Sequence, residues 1–323
     1  MTRVFINGFG RIGRTVLRAW AQGGWPDIDI VGINDIAAPD LCAHLFEYDS
    51  VFGPYQGDVQ VQGDTLCIGD TRVALHQGDD IRNLDMTGVD LVMDCTGKAN
   101  DRDFAARPLG MGVPRVLISG PADAADVTVV MGANDADLRD QQIVSNASCT
   151  TNALAPLVRL LDDTWGVQTG WMTTIHCYTG SQPTIDAPRG DMMRSRAAAM
   201  SMVPTTTSAM RLLDHVLPDI AGRIEGAAVR VPVASVSAVD LTVTLGQSVT
   251  RDDVIAVLSQ PSPIIGCTSK PLVSSDLRAR PESLIVSLPE TRVTAQGLLR
   301  VFGWYDNEWG FSCRMLDMAQ RMD

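Results

Sequence analysis

Short apolar runs alternate with helical periodicity along the first half of the chain. Val4–Asn7, Ile28–Asn34, Leu91–Asp94, Val116–Ser119 and Val127–Met131 are aliphatic, β-branched runs that predict strands. Between the first two, Ile12, Val16, Leu17 and Trp20 recur at helical spacing and predict a helix over Arg11–Gln22. A shorter helix is predicted over Asp101–Leu109. Strand, helix and strand in series require right-handed crossovers, so this half reads as a doubly wound parallel sheet. Residues 58–75 alternate apolar and polar positions instead, as a small antiparallel insertion would.

The pattern changes near residue 148. Leu154, Leu157, Val158 and Leu161 mark a helix from Cys149 to about Asp163. Long β-type runs follow at Trp171–Tyr178, Ala227–Val233 and Ala238–Leu245. Residues 180–203 form an irregular stretch rich in Arg and Met, and a loop of that length points to function or to an interface. The predicted fold class is α/β. A doubly wound domain spans 1–148, and an α+β domain with a large, mainly antiparallel sheet spans 149–309. A last helix within 310–323 is expected to pack back on the first domain.

Composition narrows the classes. A chain of 323 residues suits two domains, since single cores seldom grow past roughly 250–300 residues. A net charge of −12 argues against nucleic acid as a partner, because a phosphate backbone needs a basic face. Seven cysteines without a C-x-x-C pair fit neither a disulfide framework nor a metal site, and they predict a reducing, cytoplasmic setting. The chain opens directly on a strand pattern, without a leader-like run. No apolar run approaches the roughly 20 residues that span a bilayer, so no membrane role is expected.

Asn7-Gly8-Phe9-Gly10-Arg11-Ile12-Gly13 follows the first strand and opens the first helix. Gly8 permits the tight turn, Gly10 lets main chain approach a pyrophosphate, and Gly13 allows close helix–strand packing. The helix N-terminus then receives phosphate. Asp35, ending the second strand, is placed to accept from an adenosine ribose and to repel a 2′-phosphate, which favours NAD over NADP. The same residue could instead cap the turn after it. Thr96-Gly97, beyond Asp94, falls where the switch-point loop meets the nicotinamide end, and Ser119 joins the same set. The loop and strand-end cofactor residues are therefore Gly8, Gly10, Arg11, Ile12, Gly13, Asp35, Thr96 and Ser119.

Cys149 stands among Ser148, Thr150, Thr151 and Asn152 at a helix start. There a partial positive charge favours thiolate, the nucleophilic form. The stretch alone reads equally well as a small buried cysteine. A nucleophile needs a basic partner. His44 and His215 lie in amphipathic helical patterns and His76 lies beside the β insertion, so these read as surface or packing residues. His176 closes the β run Trp171–Ile175 and precedes a polar loop, and it is the candidate base.

Gly8–Arg14, Ser148–Asn152, His176 with Tyr178-Thr179 and Gln182, Arg230-Val231-Pro232 and Trp304-Tyr305-Asp306-Asn307-Glu308-Trp309-Gly310 together resemble the glyceraldehyde-3-phosphate dehydrogenase family, type I and phosphorylating. The similarity runs in order from end to end. It implies that Cys149 attacks an aldehyde, that His176 serves as base, that NAD takes a hydride, and that inorganic phosphate releases the acyl group. It further implies that Asn307 holds the nicotinamide carboxamide. Thr179, Arg194 and Arg230 grip the substrate phosphate, and Ser148, Thr150 and Thr207 face the attacking one. The resemblance also implies a homotetramer with the arginine-rich loop at an interface.

Four departures mark where chemistry could differ. Ser208 stands where the family usually has glycine beside the attacking phosphate, so a side chain or a lost positive φ could alter that subsite. Ser181 replaces a common acid, Lys98-Ala99 replaces an Arg-Phe pair, and Leu258–Lys270 is shorter than usual. Ser208 keeps an erythrose-4-phosphate dehydrogenase, with hydrolytic release, as the alternative enzyme. An inactive NAD-binding or redox-sensing homologue is the alternative of another class. For Arg194 the alternative is an intersubunit salt bridge.

Overall fold

The computed structural model describes residues 1–322 and divides into two compact units. The first comprises 1–129, 135–147 and the chain from Ser312 on; the second comprises 130–134 and 148–311.

The first unit is built on a nine-stranded sheet. Seven strands run parallel, in the spatial order Thr71–Gln77, Ile28–Asp35, Thr2–Asn7, Leu91–Asp94, Arg115–Ile118, Ile143–Ser145, Val127–Thr128. The order reverses at Thr2–Asn7, because the chain builds outward from that strand on one side and then on the other. Such a switch point leaves a crevice at the strands' carboxyl ends. Val59–Val61 and Thr65–Ile68 extend one edge as antiparallel strands, the insertion expected within 58–75. Val4, Ile6, Ile30, Val92 and Leu117 are buried, as expected for strands covered on both faces.

Two expectations change in detail. The helix predicted over Asp101–Leu109 is two single turns, Arg102–Ala105 and Arg107–Gly110. Pro108 has no N–H to give the carbonyl of Phe104, so a continuous helix cannot form there. The strand predicted over Val127–Met131 stops at Thr128. Ile143–Ser145, three buried residues, was not foreseen; a run that short carries no period.

The second unit carries a mixed, mainly antiparallel sheet. Its order is Val203–Thr205, Ile224–Val231, Val167–Cys177, Ser237–Leu245, Leu298–Tyr305, Leu284–Ser287, Ile265–Thr268, with Arg292–Val293 also on Leu298–Tyr305. Two pairs in it are parallel, and one of them matters for chemistry. Val167–Cys177 runs beside Ile224–Val231 with His176 opposite Arg230. The antiparallel register of the next strands sets Ser237 opposite Tyr305. The helix Cys149–Trp165 buries Leu154, Leu157, Val158 and Leu161 and ends at Gly166, whose φ of 71° suits a residue without a Cβ.

Candidate active site

In the first unit the switch-point crevice is a pocket lined by Asn7, Gly8, Gly10, Asp35, Thr96 and Lys98, among others. A side-chain chain ties its floor together. Asn34 Nδ2 donates to Asn7 Oδ1 (2.9 Å), Asn7 Nδ2 donates to Asp94 Oδ2 (3.0 Å), and Thr96 Oγ1 donates to Asp94 Oδ1 (2.7 Å). Burial raises the Asp94 carboxyl above its ordinary range, while Thr96 and Asn7 pull it back. Asp35 holds the glycine loop: Oδ2 accepts from the Phe9 N–H at 2.6 Å, and Oδ1 accepts from the Ala37 N–H at 2.9 Å. The turn-capping alternative for Asp35 is therefore also present, in the same carboxylate that lines the pocket.

The glycines divide by task. A Cβ on Gly13 would stand 2.1 Å from the Gly8 carbonyl oxygen, so Gly13 is there for packing. Gly8, at φ +95°, has the Cys95 main chain at 2.7 Å from where its Cβ would be. A Cβ on Gly10 would meet nothing within 4 Å, which leaves open space at the start of the helix Arg11–Ala21. No side chain caps that helix, so its first N–H groups remain available to an anion. Asn34 is buried, and its Oδ1 has no hydrogen-bond partner. An acceptor without a donor at this pocket fits an exocyclic amino group. These features suit an adenine dinucleotide. Arg11 instead ion-pairs with Asp49 and lies over the Phe52 ring, which makes it a wall of the loop. Ser119 belongs to a neighbouring cavity with Asp94 and Gly97.

In the second unit Cys149 is the first residue of its helix. Ser148 is the N-cap, its Oγ accepting from the Thr151 N–H at 3.1 Å. Cys149 Sγ lies 3.7 Å from His176 Nε2. His176 Nδ1 lies 2.7 Å from the Cys177 carbonyl oxygen and 3.3 Å from Arg230 Nη1; the shorter contact is to an oxygen that can only accept, and it assigns the proton to Nδ1. The Nε2 lone pair therefore faces the thiol. This tautomer, assigned from the hydrogen bonds, is the one a proton acceptor needs. Arg230 Nη1 donates to the same carbonyl (3.0 Å) and to Thr179 Oγ1 (3.2 Å).

Electrostatics modify the sequence expectation for the thiol. Burial pushes Cys149 up from its ordinary value. Against it work the Thr150 hydroxyl, the N–H groups at the helix start and the Arg230 guanidinium. Burial, with Arg230 beside it, pulls His176 down to about 4. The helix start is where it was expected, with Cys149 as its first residue.

The remaining site residues are placed unevenly. Thr150 is buried, its Oγ1 sharing a 2.9 Å hydrogen bond with the Tyr305 hydroxyl, which also meets Thr174 Oγ1 at 2.8 Å. The Tyr305 ring stands edge-on to His176 at 6.1 Å. Thr207 Oγ1 accepts from the Ala209 N–H at 3.1 Å. Ser208 is exposed with φ −75°, an ordinary helical value, so this position does not call for glycine. Arg194 is on the exposed loop and pairs with Asp191 at 3.8 Å; it is not drawn to Arg230 or Thr179. Arg196 pairs with Asp186 at 2.8 Å on the same loop. Asn307 is buried on the turn before the last helix, where Asp306 Oδ1 accepts from the N–H groups of Glu308 and Trp309.

Sequence reasoning did not single out Tyr305, Thr174, Asp306, Ser237 or Cys177. Tyr305 and Asp306 lie inside the distinctive Trp304–Gly310 stretch, so the signal was present for those two. Among the described residues, three other than glycine have positive φ: Ala147 (55°), Val236 (66°) and Ala279 (60°). Ala147 precedes Ser148, Val236 precedes Ser237, and the Ala279 N–H donates to Asp306 Oδ2 at 2.8 Å. Main-chain strain thus gathers beside residues that shape the site.

Among the described residues no helix is long and apolar enough to cross a membrane, and no His, Cys, Asp and Glu cluster could hold a metal. Residues 2–102 match the family description "Glyceraldehyde 3-phosphate dehydrogenase, NAD binding domain". Residues 148–307 match "Glyceraldehyde 3-phosphate dehydrogenase, C-terminal domain". The chain is 46% identical to glyceraldehyde-3-phosphate dehydrogenase of Xanthobacter flavus, covering 99% of this chain and 98% of that one. It is 45% identical to the Pseudomonas aeruginosa protein of the same name (98% and 97% covered) and 40% to that of Geobacillus stearothermophilus (98% and 97%).

Proposed function

The chain belongs to the glyceraldehyde-3-phosphate dehydrogenase family, with NAD as its cofactor, and from that membership we propose that it oxidises glyceraldehyde 3-phosphate to 1,3-bisphosphoglycerate. The observation that carries this reading is the 3.7 Å approach of Cys149 Sγ to His176 Nε2, with Nδ1 locked as a donor. Cys149 attacks the aldehyde carbon, and the thiol proton passes through Nε2 to the developing alkoxide, giving a thiohemiacetal. Bound NAD supplies the hydride acceptor. As the carbon is oxidised, Nε2 takes the hydroxyl proton, leaving a thioester on Cys149. A phosphate oxygen then attacks the thioester carbonyl, the C–S bond breaks, and Sγ recovers a proton from the imidazolium.

Arg230 and Thr179, already in contact, form the start of a grip for the substrate phosphate, and Arg194 completes it from the loop. Ser148, Thr150, Thr207 and Ser208 line the subsite of the attacking phosphate. Ser208 supports phosphate release, since at φ −75° it adds a hydroxyl without strain. Asn307 holds the nicotinamide carboxamide. The active form is a homotetramer and works in the cytoplasm. The loop 180–203 supports an assembly because Met192 is 93% exposed and Met200 is 83% exposed. Steady-state rates on glyceraldehyde 3-phosphate and erythrose 4-phosphate, each with and without phosphate, test the proposal. Turnover of the triose should depend on phosphate; equal turnover without it would sink the phosphorylating reading.

A further inference from the structure

Asn307 has a defined orientation, and two neighbours that the reaction does not consume impose it. Its Oδ1 accepts from Cys177 Sγ at 3.1 Å and from Ser237 Oγ at 3.4 Å. Ser237 Oγ in turn accepts from the Cys177 N–H at 3.1 Å, so its own proton is directed at the amide. Cys177 is fully buried, and burial pushes its thiol up to about 12, which keeps it a donor at any working pH. Both side-chain hydrogen bonds of Asn307 are therefore accepted at one end, and the NH₂ is the end turned away from them.

We infer that Cys177 and Ser237 are positioning residues that fix the rotamer of the Asn307 amide, so that this chain presents N–H donors to the carboxamide oxygen of the nicotinamide. The inference rests on the proposed role of Asn307. A primary amide is nearly symmetric in shape, and without these donors it turns over at little steric cost and offers the wrong end to a carbonyl. The arrangement is held rigidly on one side. Val236, just before Ser237, keeps its left-handed φ because its side chain is packed against Leu277 and Ile285. Cys177 is fixed by strand pairing with Val231.

Calorimetric titration of the full-length protein with NAD and with ADP-ribose, which lacks the nicotinamide, tests this. Asn307→Ala and Cys177→Ala should each weaken NAD about three- to tenfold, the effect of one ordinary hydrogen bond, and leave ADP-ribose unchanged. Cys177→Ser retains a donor and should bind NAD within twofold of wild type. Ser237→Ala should move in the same direction as Cys177→Ala by a smaller factor, given its longer contact. If Asn307→Ala weakens NAD but Cys177→Ala does not, or if Cys177→Ser is as weak as Cys177→Ala, the positioning role is overturned. Equal loss of both ligands in Cys177→Ala overturns it too. An Asn307→Ala variant with unaltered NAD affinity would remove the reading of Asn307 itself.

Discussion

In the first unit the dinucleotide pocket sets three glycines, Gly8, Gly10 and Gly78, among polar side chains such as Asn7, Asn34, Asp35 and Thr96, beside the uncapped start of Arg11–Ala21. In the second unit the reacting centre is made of side chains from separate strands and a helix, linked pair by pair: Cys149 to His176, His176 to Arg230 and Tyr305, and Tyr305 to Thr150. At its glycine loop the first arrangement works by leaving room and offering N–H groups, so Gly10 need only stay out of the way. The second works by holding proton donors and acceptors in register, and each member depends on the next. Substitutions should therefore be graded in the first unit and severe in the second.

The severest break should come at the nucleophile. Cys149→Ser should lower turnover by roughly four to six orders of magnitude, the scale for removing a covalent nucleophile, while NAD titration stays near wild type. Full activity would remove the proposed mechanism. His176→Asn should cost roughly two to four orders of magnitude in kcat. The same variant tests the buried neutral imidazole. His176 is held at about 4 in the fold against about 6.5 when unfolded, so between those values the unfolded chain binds the extra proton. That contribution is absent above pH 6.5 and destabilises the fold by up to about 3 kcal/mol as pH falls toward 4. Urea titrations across this range should show a flatter pH dependence for His176→Asn than for wild type.

Two glycines sharpen the contrast within the first unit. Gly13→Ala should destabilise the protein by about 1–3 kcal/mol, because its Cβ meets the Gly8 carbonyl oxygen. Gly10→Ala should leave the melting temperature unchanged and weaken NAD roughly tenfold, since the only thing it can displace is the ligand. Similar melting losses in both would show that the open space at Gly10 is not reserved. The smallest effect should be at Ser208. Ser208→Gly should change the KM for phosphate less than about threefold, as its backbone already takes an ordinary helical φ.

The same contrast explains what the sequence made legible. Gly8, Gly10 and Gly13 announce the loop because their spacing is local, and Asp35 follows from the next strand end. Cys149 could be located at a helix start from Ser148 and the apolar spacing after it. The burial that pushes its thiol up could not, because burial is a property of the assembled fold. His176 and Arg230 are far apart along the chain, and only the parallel register of their two strands sets them opposite each other. Tyr305 lies inside the distinctive Trp304–Gly310 stretch, but its part was not legible there, since a buried aromatic that joins two threonine hydroxyls looks in sequence like any core residue. Arg194 stands apart from them: a residue type suited to phosphate, on an exposed loop where it pairs with Asp191.

The left-handed kinks at Ala147, Val236 and Ala279 have a practical consequence for anyone seeking a more heat-tolerant form of this protein. Each holds strain of order 1–3 kcal/mol, and glycine is the substitution that would release it. The released strain would be offset by a looser unfolded chain, and by slack beside Ser148, Ser237 and Asp306. At these three places the same substitution that relaxes the backbone frees a residue that must not drift. A stabilised variant is better sought at exposed loop and helix positions away from the reacting centre, leaving these kinks as they stand.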